Sequence, residues 1–457
     1  MTGGTVKAVA ATGQLGTGFR KESFTTALKN ADFVGCDAGS SDMGPYYLGS
    51  GESHASEQAM SRDLEIILEG ALDKGIPAII GSAGTAGGRP HLERVARVVR
   101  KIARQRAWHF SLALLDSEIE SRTVVGALRA GRLKPLSPTV DLPTEADIEG
   151  AERFVAMLGP EGFQRALGKG AEVIIAGRSC DTSIFVALPM LRGIPPAIAY
   201  HAAKILECGA GAVTQRHYPD TLFAEMDSHG FVVDTPNPAM RCTAQSVAAH
   251  MLYENGDPFH LVEPSGVLDT SRASYTEVSR TAVRVTGSQF VEAPDYTVRL
   301  EGAQFVGHRC VIFASVRDPI VIGQLDNYIA RVQSVIESKV ADSLGMLNDE
   351  YRIRWRAFGH GAAQREDGTP DPKRGDERGL LIDIIARNRS AAAAVAGIAW
   401  HTALHQPVPE YRGLVSNLAF PFSPPVMEGG PVYQFSTNCT WELTDPAESY
   451  TMSLERV

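Results

Sequence analysis

Three polar, glycine-rich segments carry the residues whose types and spacing could do chemistry. The first contains Asp37, Ser40 and Ser41 among small residues, and the others span 81–91 and 177–183. Carboxylates act as general acids or bases, while arginine side chains and clustered backbone N–H groups bind anions. We therefore predict acid–base chemistry on an anionic substrate, with Asp37 as a catalytic residue and the two serines as substrate contacts. A capped turn that satisfies backbone donors is the alternative for this segment.

The segment 81–91 favours contact with a ligand. Its four glycines let a ligand approach the backbone closely. We predict that Ser82, Gly84 and Thr85 contact the substrate, and that Arg89 binds its carboxylate or phosphate with both arms of the guanidinium. The alternative is a flexible turn without a ligand.

The segment 177–183 offers an arginine and an acid. Arg178 is a predicted clamp for the substrate, and Asp181 is a predicted catalytic acid or base. Asp181 could instead cap the helix that follows. Further upstream, the segment 45–51 is interpreted as a mobile lid, in which Tyr47 binds the substrate or packs the loop against the sheet.

These three segments must be positioned by the elements that precede them. Short apolar runs at 32–36, 78–80, 108–115 and 172–176 alternate with amphipathic stretches. Such alternation predicts βαβ units and a mainly parallel sheet, in which ligands bind beyond the carboxyl ends of the strands. Helices are predicted at 21–29, 56–72, 92–102, 117–131 and 145–168.

The length of 457 residues predicts more than one domain. Residues 1–211 are predicted to form an α/β domain, 212–300 a mixed α+β subdomain or cap, and 301–457 a C-terminal α/β region. Within the last region, 380–405 has a helical pattern, and the charged segment 365–378 is predicted to be an exposed loop.

Composition excludes several classes of partner. The formal net charge of −9 disfavours binding to nucleic acid or to an anionic membrane. No apolar run is long enough to span a bilayer. Six cysteines without a C-x-x-C pair indicate free thiols, so we expect a cytoplasmic protein. The dinucleotide fingerprint is incomplete, since Lys21 stands where Gly16-x-Gly18 would need a third glycine. No cofactor is predicted, and a divalent metal stays open.

Several short motifs occur along the chain in a fixed order. They are Gly16-x-Gly18-Phe19, the Asp37 loop, Ser82-Ala83-Gly84, Gly177-Arg178-x-x-Asp181, Ile205-Leu206-Glu207-Cys208-Gly209, and the segments 243–247, 252–254, 257–258, 268–269 and 285–288. In these motifs the sequence resembles the acyclic terpene utilisation (AtuA) family. The resemblance implies relatives in pathways that degrade acyclic terpenes. The segment 45–51 differs from the corresponding segment of the terpene-pathway members, and we do not expect the C-terminal appendage that some members carry. The resemblance thus implies a branch that works with a short, separately encoded accessory subunit.

Three functions follow from these observations. The first is a cofactor-independent lyase, of hydratase, dehydratase or ammonia-lyase type, that acts on a small carboxylic acid or acyl-CoA in a catabolic pathway. The second is a non-catalytic or scaffold subunit of a two-component enzyme, with 197–208 and 390–404 as subunit faces. The third is an acyl-transfer hydrolase that uses Ser82, Ser40 or Cys180, although no G-x-S-x-G motif is present. We also expect a homo-oligomer.

Overall fold

The computed structural model describes residues 4–359, 377–413 and 418–457. Its strands are β1 (Val6–Ala10), β2 (Phe33–Asp37), β3 (Ala78–Gly81), β4 (Ser111–Asp116), β5 (Glu118–Ile119), β6 (Leu133–Pro135), β7 (Arg153–Ala156), β8 (Val173–Ala176), β9 (Val213–Thr214), β10 (Leu222–Asp227), β11 (Gly230–Asp234), β12 (Arg241–Cys242), β13 (His260–Glu263), β14 (Gly266–Asp269), β15 (Ser274–Glu277), β16 (Ala282–Thr286), β17 (Gln289–Glu292), β18 (Tyr296–Val316), β19 (Tyr351–Phe358), β20 (Arg378–Ala386), β21 (Val426–Leu443) and β22 (Thr451–Arg456). Its α-helices are α1 (Lys21–Leu28), α2 (Pro45–Ser50), α3 (Glu57–Lys74), α4 (Arg89–Arg106), α5 (Ser121–Arg129), α6 (Glu145–Glu149), α7 (Pro160–Gly168), α8 (Ser183–Leu191), α9 (Pro196–Leu206), α10 (Ala244–His250), α11 (Pro319–Ile322), α12 (Leu325–Leu344) and α13 (Arg389–His405).

The chain divides into two compact units. Unit 1 combines Met1–Gln304 with Phe435–Val457, and unit 2 is Phe305–Gln434. No division falls near the predicted boundary at 211, whereas the division between Gln304 and Phe305 lies close to the predicted boundary at 300. Strands β10 and β11, which follow residue 211, join the same sheet as β1, so the chain before and after that point shares one core.

Unit 1 is built on one large sheet. In the described residues its strand order is β15-β16-β11-β10-β1-β2-β3-β8-β4-β22. The central strands β1, β2, β3, β8 and β4 are parallel, whereas β10 is antiparallel to β1 and β22 is antiparallel to β4. The predicted α/β fold, with a mainly parallel N-terminal sheet followed by a mixed region, is confirmed.

Helices cover both faces of this sheet, which explains why its central strands read as continuous apolar runs. Every residue of β2, β3 and β8 is buried. One hydrophobic cluster packs α1, α3 and α4 against the sheet, and a second packs α7, α8 and α9 against it. Because β2, β3 and β8 are parallel, the loops that leave their carboxyl ends meet at one edge.

The predicted helix over 145–168 is wrong. The segment forms α6, then β7, then α7. Gly150 ends α6, and a side chain there would lie 2.5 Å from Gln304 Nε2. Strand β7 then pairs with Leu300–Ala303 of β18, so a distant strand overrides the local helical spacing. The segment 45–51, interpreted as a lid, forms the short helix α2.

Unit 2 has its own hydrophobic core. Strand β20 pairs with β19 and with His308–Val316 of β18, and α12 and α13 pack together beside them. The predicted helix over 380–405 is correct only from Arg389, because alternate residues of β20 are buried and a strand precedes the helix. Of the predicted loop 365–378, all but the last two residues lie outside the described residues.

In the parts of the chain that the structure describes, no helix has the length and apolar character needed to cross a bilayer.

Candidate functional site

Arg178 joins the three loops that leave the parallel strands. The side chain is only 3% exposed, although it carries a charge. Its Nη1 donates to Ser82 Oγ at 3.1 Å, and its Nη2 donates to Ser41 Oγ at 3.4 Å. The loops after β2, β3 and β8 thus meet at one guanidinium, as the parallel-sheet rule requires.

The counter-charge of Arg178 comes from Glu301, on β18. This glutamate is fully buried, and its Oε2 lies 3.2 Å from Arg178 Nε. Its other oxygen accepts a hydrogen bond from Ser41 Oγ at 2.6 Å and pairs with Arg299 Nε at 3.2 Å. Charged groups are buried at such a cost only when they are paired, so this network fixes the orientation of Arg178.

The two predicted catalytic aspartates both lie near this arginine. Asp37 is 7% exposed, and its Oδ2 accepts a hydrogen bond from the backbone of Gly39. In the described residues its Oδ1 has no hydrogen-bond partner. Burial, reinforced by the charge of Asp181, raises the pKa of Asp37 well above its ordinary value, and Arg178 opposes this rise.

Asp181 lies 3.6 Å from Arg178, measured from Oδ1 to Nη1. Burial raises the pKa of Asp181, and the cations Arg178 and Lys204 oppose the rise. Its side chain is 30% exposed, so it is the more accessible of the two aspartates.

A cavity of about 220 Å³ opens beside Asp181 and Arg178. Its wall includes Ser40, Arg178, Cys180, Asp181, Lys204, Glu207, Glu254, Glu263 and Arg299. Sites of this kind, with several ionisable groups in one cleft, are where perturbed pKa values and function coincide. Of the predicted site residues, the cavity wall contains Ser40, Arg178 and Asp181.

Glu263, at the end of β13, is a second acid of the cavity wall. Its Oε2 accepts hydrogen bonds from Thr182 Oγ1 at 2.9 Å and from Cys180 Sγ at 3.3 Å. Burial raises the pKa of Glu263 to about 7. The carboxyl is therefore poised to exchange a proton near neutral pH.

Lys204 and Glu207 form an ion pair in the same wall, with 2.5 Å between Nζ and Oε1. Burial raises the pKa of Glu207, while the Lys204 ammonium opposes the rise. Burial lowers the pKa of Lys204, but the neighbouring Glu207 carboxylate outweighs burial and raises this pKa above its ordinary value, so the lysine stays protonated.

The sequence model of the family described as "Acyclic terpene utilisation family protein AtuA" matches residues 17–416. The chain belongs to the AtuA family. The matched region contains the three loops and the strands that carry Glu263 and Glu301. No curated protein and no solved structure gives a match.

Six of the eight predicted substrate contacts are not part of the cavity wall in the described residues. Two of them, Ser41 and Ser82, contact Arg178 behind that wall, and the other four are Tyr47, Gly84, Thr85 and Arg89. Arg89, at the start of α4, pairs with Asp116 at 2.7 Å between Nε and Oδ2. Tyr47 lies on α2, with its hydroxyl 3.5 Å from His54 Nδ1. Gly84 and Thr85 lie in the loop after β3, where Thr85 Oγ1 accepts a hydrogen bond from the backbone of His54.

The loop after β3 is strained beside Arg178. Ser82 and Thr85 have φ angles of 45° and 96°, which non-glycine residues rarely adopt. The carbonyl of Thr85 lies so close to Gly39 that a side chain on Gly39 would meet it at 2.0 Å. Such strain tends to collect at functional sites, where surrounding contacts hold it in place.

Local sequence patterns do not predict the acids that later strands bring to the site, Glu263 and Glu301. Glu263 occupies an inward position of β13, where Leu261 is also buried and Val262 between them is exposed. An acid at an inward position of a strand is a signal for a site, but which face of β13 turns inward depends on its pairing with β14 in the folded protein. Within the described residues, no group of three or more His, Cys, Asp or Glu side chains is arranged to hold a metal ion.

Proposed function

We propose that this protein is a lyase that adds or removes water or ammonia next to a carboxylate or acyl thioester. The observation that carries this proposal is the pair of acids, Asp181 and Glu263, in the wall of one cavity that also contains Arg178 and Lys204. Addition and elimination need a base at one carbon, an acid at the leaving group and a cation near the developing negative charge.

Asp181 takes the role of base in this proposal. In the dehydration direction, its carboxylate removes a proton from the carbon next to the acyl group. The carbon–oxygen bond of the hydroxyl then breaks, and Glu263 donates the proton with which the hydroxyl leaves as water. Asp181 ends protonated and Glu263 ionised, and the hydration direction reverses each transfer.

The environment of Glu263 suits the role of acid. With a pKa of about 7, this carboxyl holds its proton in a large fraction of molecules at neutral pH. Groups that transfer protons work best when their pKa lies near the working pH. Asp181, more exposed and next to Arg178, has a partner that favours its charged form.

Arg178 and Lys204 supply the positive charge. Arg178 is held from three sides by Ser41, Ser82 and Glu301, so it need not reorganise when charge develops on the substrate. Asp37 is not part of the cavity wall in the described residues. We assign it a positioning role, acting through Arg178 and Asp181 rather than by contact with the substrate.

The acyl-transfer alternative has less support. The hydroxyl of Ser82 donates to the carbonyl of Ser179 at 3.2 Å and accepts from Arg178, so no base is available to activate it. Burial raises the pKa of the Cys180 thiol well above its ordinary value, which disfavours a thiolate nucleophile.

The test is turnover by the purified chain on 2- and 3-hydroxy acids, unsaturated acids and their CoA thioesters, followed by proton NMR in D₂O. Loss of a catalytic acid or base typically costs about 10²- to 10⁴-fold, so we expect Asp181→Asn and Glu263→Gln each to fall by that factor. Glu93→Gln, on the exposed face of α4, is the matched control and should be fully active. Full turnover by both cavity variants on a substrate of the wild type would refute the assignment.

A further inference from the structure

A second cavity lies in unit 1, with a volume of about 330 Å³. The residues of its wall that matter here are Gln14, Cys208, Arg216, His250 and Tyr253. Its size is at the lower end of the range for small-molecule sites. Neither Asp181 nor Glu263 lies in its wall.

The two cavities share a wall. Glu207 lines the first cavity, and its neighbour Cys208 lines the second. In the same way, Glu254 lines the first cavity and its neighbour Tyr253 lines the second. The Nζ atom of Lys204, in the wall of the first cavity, lies 6.0 Å from the centre of the Tyr253 ring. Because adjacent residues of two segments face the two cavities, one extended ligand could contact both.

The second cavity differs from the first in its charge. Arg216 is exposed and brings a guanidinium to the wall. Among the described residues that line this cavity, none carries a carboxylate, whereas the first cavity contains Asp181 and Glu263. A concave surface with a cation and without an acid favours an anionic group, which arginine binds with paired hydrogen bonds.

His250 adds a buried polar group to this wall. The ring is 8% exposed, and it stacks on Tyr253 with 5.8 Å between ring centres. Its Nε2 is buried and has no hydrogen-bond partner in the described residues. A buried polar atom without a partner is rare in folded proteins, and a ligand or water can satisfy it.

We propose that the second cavity binds an anionic tail of the substrate, a phosphate or carboxylate group, while the reacting end occupies the first cavity. This inference rests on the proposed function, because it takes the first cavity as the site of the reaction. It assigns Arg216 as the residue that binds the tail. The substrate is then an extended molecule with a second negative charge, either a phosphate-bearing thioester or a long dicarboxylate.

The test is calorimetric titration of the full chain with two probes, coenzyme A for the phosphate tail and adipate for the carboxylate tail. Loss of a paired arginine contact should weaken binding of the correct probe by about tenfold or more in Arg216→Ala. Arg216 is exposed, so its replacement should leave the fold intact. Arg122→Ala, which removes the same charge from an exposed position on α5, is the matched control and should bind like the wild type.

Binding of coenzyme A that depends on Arg216 supports a phosphate tail, and the same dependence for adipate supports a carboxylate tail. Equal affinity in Arg216→Ala and Arg122→Ala, or no binding of either probe to the wild type, overturns the inference. The result stands apart from the reaction, since no turnover is measured. If binding depends on Arg216 while Asp181→Asn keeps full turnover, the acid–base assignment fails and the tail site survives.

Discussion

Arg178 and Glu301 form an ion pair in which both side chains are buried. Arg178 is shared by three loops, and Glu301 reaches it from a strand that is more than 100 residues away in the sequence. Replacing an entire buried ion pair by apolar groups can be neutral, but removing one partner leaves an isolated buried charge. The glutamate is thus the residue on which the shape of the site depends most.

We expect Glu301→Gln to lower the free energy of unfolding by about 3–5 kcal/mol, the cost of leaving a buried charge without its partner. The substitution preserves volume, so the loss reports the charge of the carboxylate. Urea denaturation followed by circular dichroism measures it, with Glu93→Gln as the exposed control. A loss as small as that of the control would mean that Asp181, 3.6 Å from Arg178, already supplies the counter-charge.

Glu263 should make stability depend on pH. Its pKa is raised in the folded state to about 7 from the ordinary 4.5, so the folded protein keeps a proton that the unfolded chain releases. This contribution to stability is fully present below pH 4.5 and is lost as the pH rises through 7.

The Glu263→Gln variant has no carboxyl group at this position, so no proton is bound or released there at any pH. The stability of the wild type relative to this variant should therefore fall by on the order of 3 kcal/mol between pH 4.5 and pH 8. Urea denaturation of both proteins at the two pH values measures the change. A difference that does not vary with pH would contradict the raised pKa.

The parallel strands and the loops after them could be predicted from the sequence, because apolar runs, glycines and helix stop signals are local features. The bounds of strand β3 and of helices α3 and α4 lie within four residues of the predicted bounds. What could not be predicted is pairing over long distances. Glu301 and Glu263 reach the site from β18 and β13, and β7 interrupts a predicted helix because β18 pairs with it.

At the element scale, Gly87, in the loop between β3 and α4, fits tightly against the segment that begins at Gly177. A side chain on Gly87 would lie 2.1 Å from the backbone nitrogen of Arg178, whereas one on Gly75 would meet open space. The two glycines have almost the same φ, 69° and 67°. Substitution by alanine therefore carries the same cost of a left-handed backbone conformation at both positions. The two positions differ only in how closely other atoms surround the added side chain.

We expect Gly87→Ala to lose more stability than Gly75→Ala, by the cost of overpacking, about 1–3 kcal/mol. Displacement of the Arg178 backbone should also reduce turnover in the Gly87 variant alone. Thermal unfolding and activity of the two variants, measured side by side, check both expectations. Equal losses would show that the loop after β3 yields without strain.

At the scale of the whole molecule, all the residues assigned to the reaction lie in unit 1, whereas unit 2 has a separate hydrophobic core. Ile336 is fully buried in that core, on α12. We expect Ile336→Ala to lower the free energy of unfolding by about 2–5 kcal/mol. Leu347→Ala, at an exposed position of unit 2, should change it by less than about 0.5 kcal/mol.

The same two variants test whether the site depends on that core. At a temperature where both are folded, we expect each to turn over the substrate at the rate of the wild type. A fall in turnover for Ile336→Ala in the folded protein would show that the core of unit 2 contributes to the site.

The pairing of β22 with β4 has a consequence for biosynthesis. Strand β4 ends at Asp116 and its antiparallel partner begins at Thr451, so about 330 residues must be translated between them. Translation proceeds at about 5–20 residues per second, so β4 stays without its edge partner for tens of seconds during synthesis. An unpaired strand edge invites pairing with other chains. The nascent protein therefore has a window in which a chaperone that shields strand edges would raise its yield.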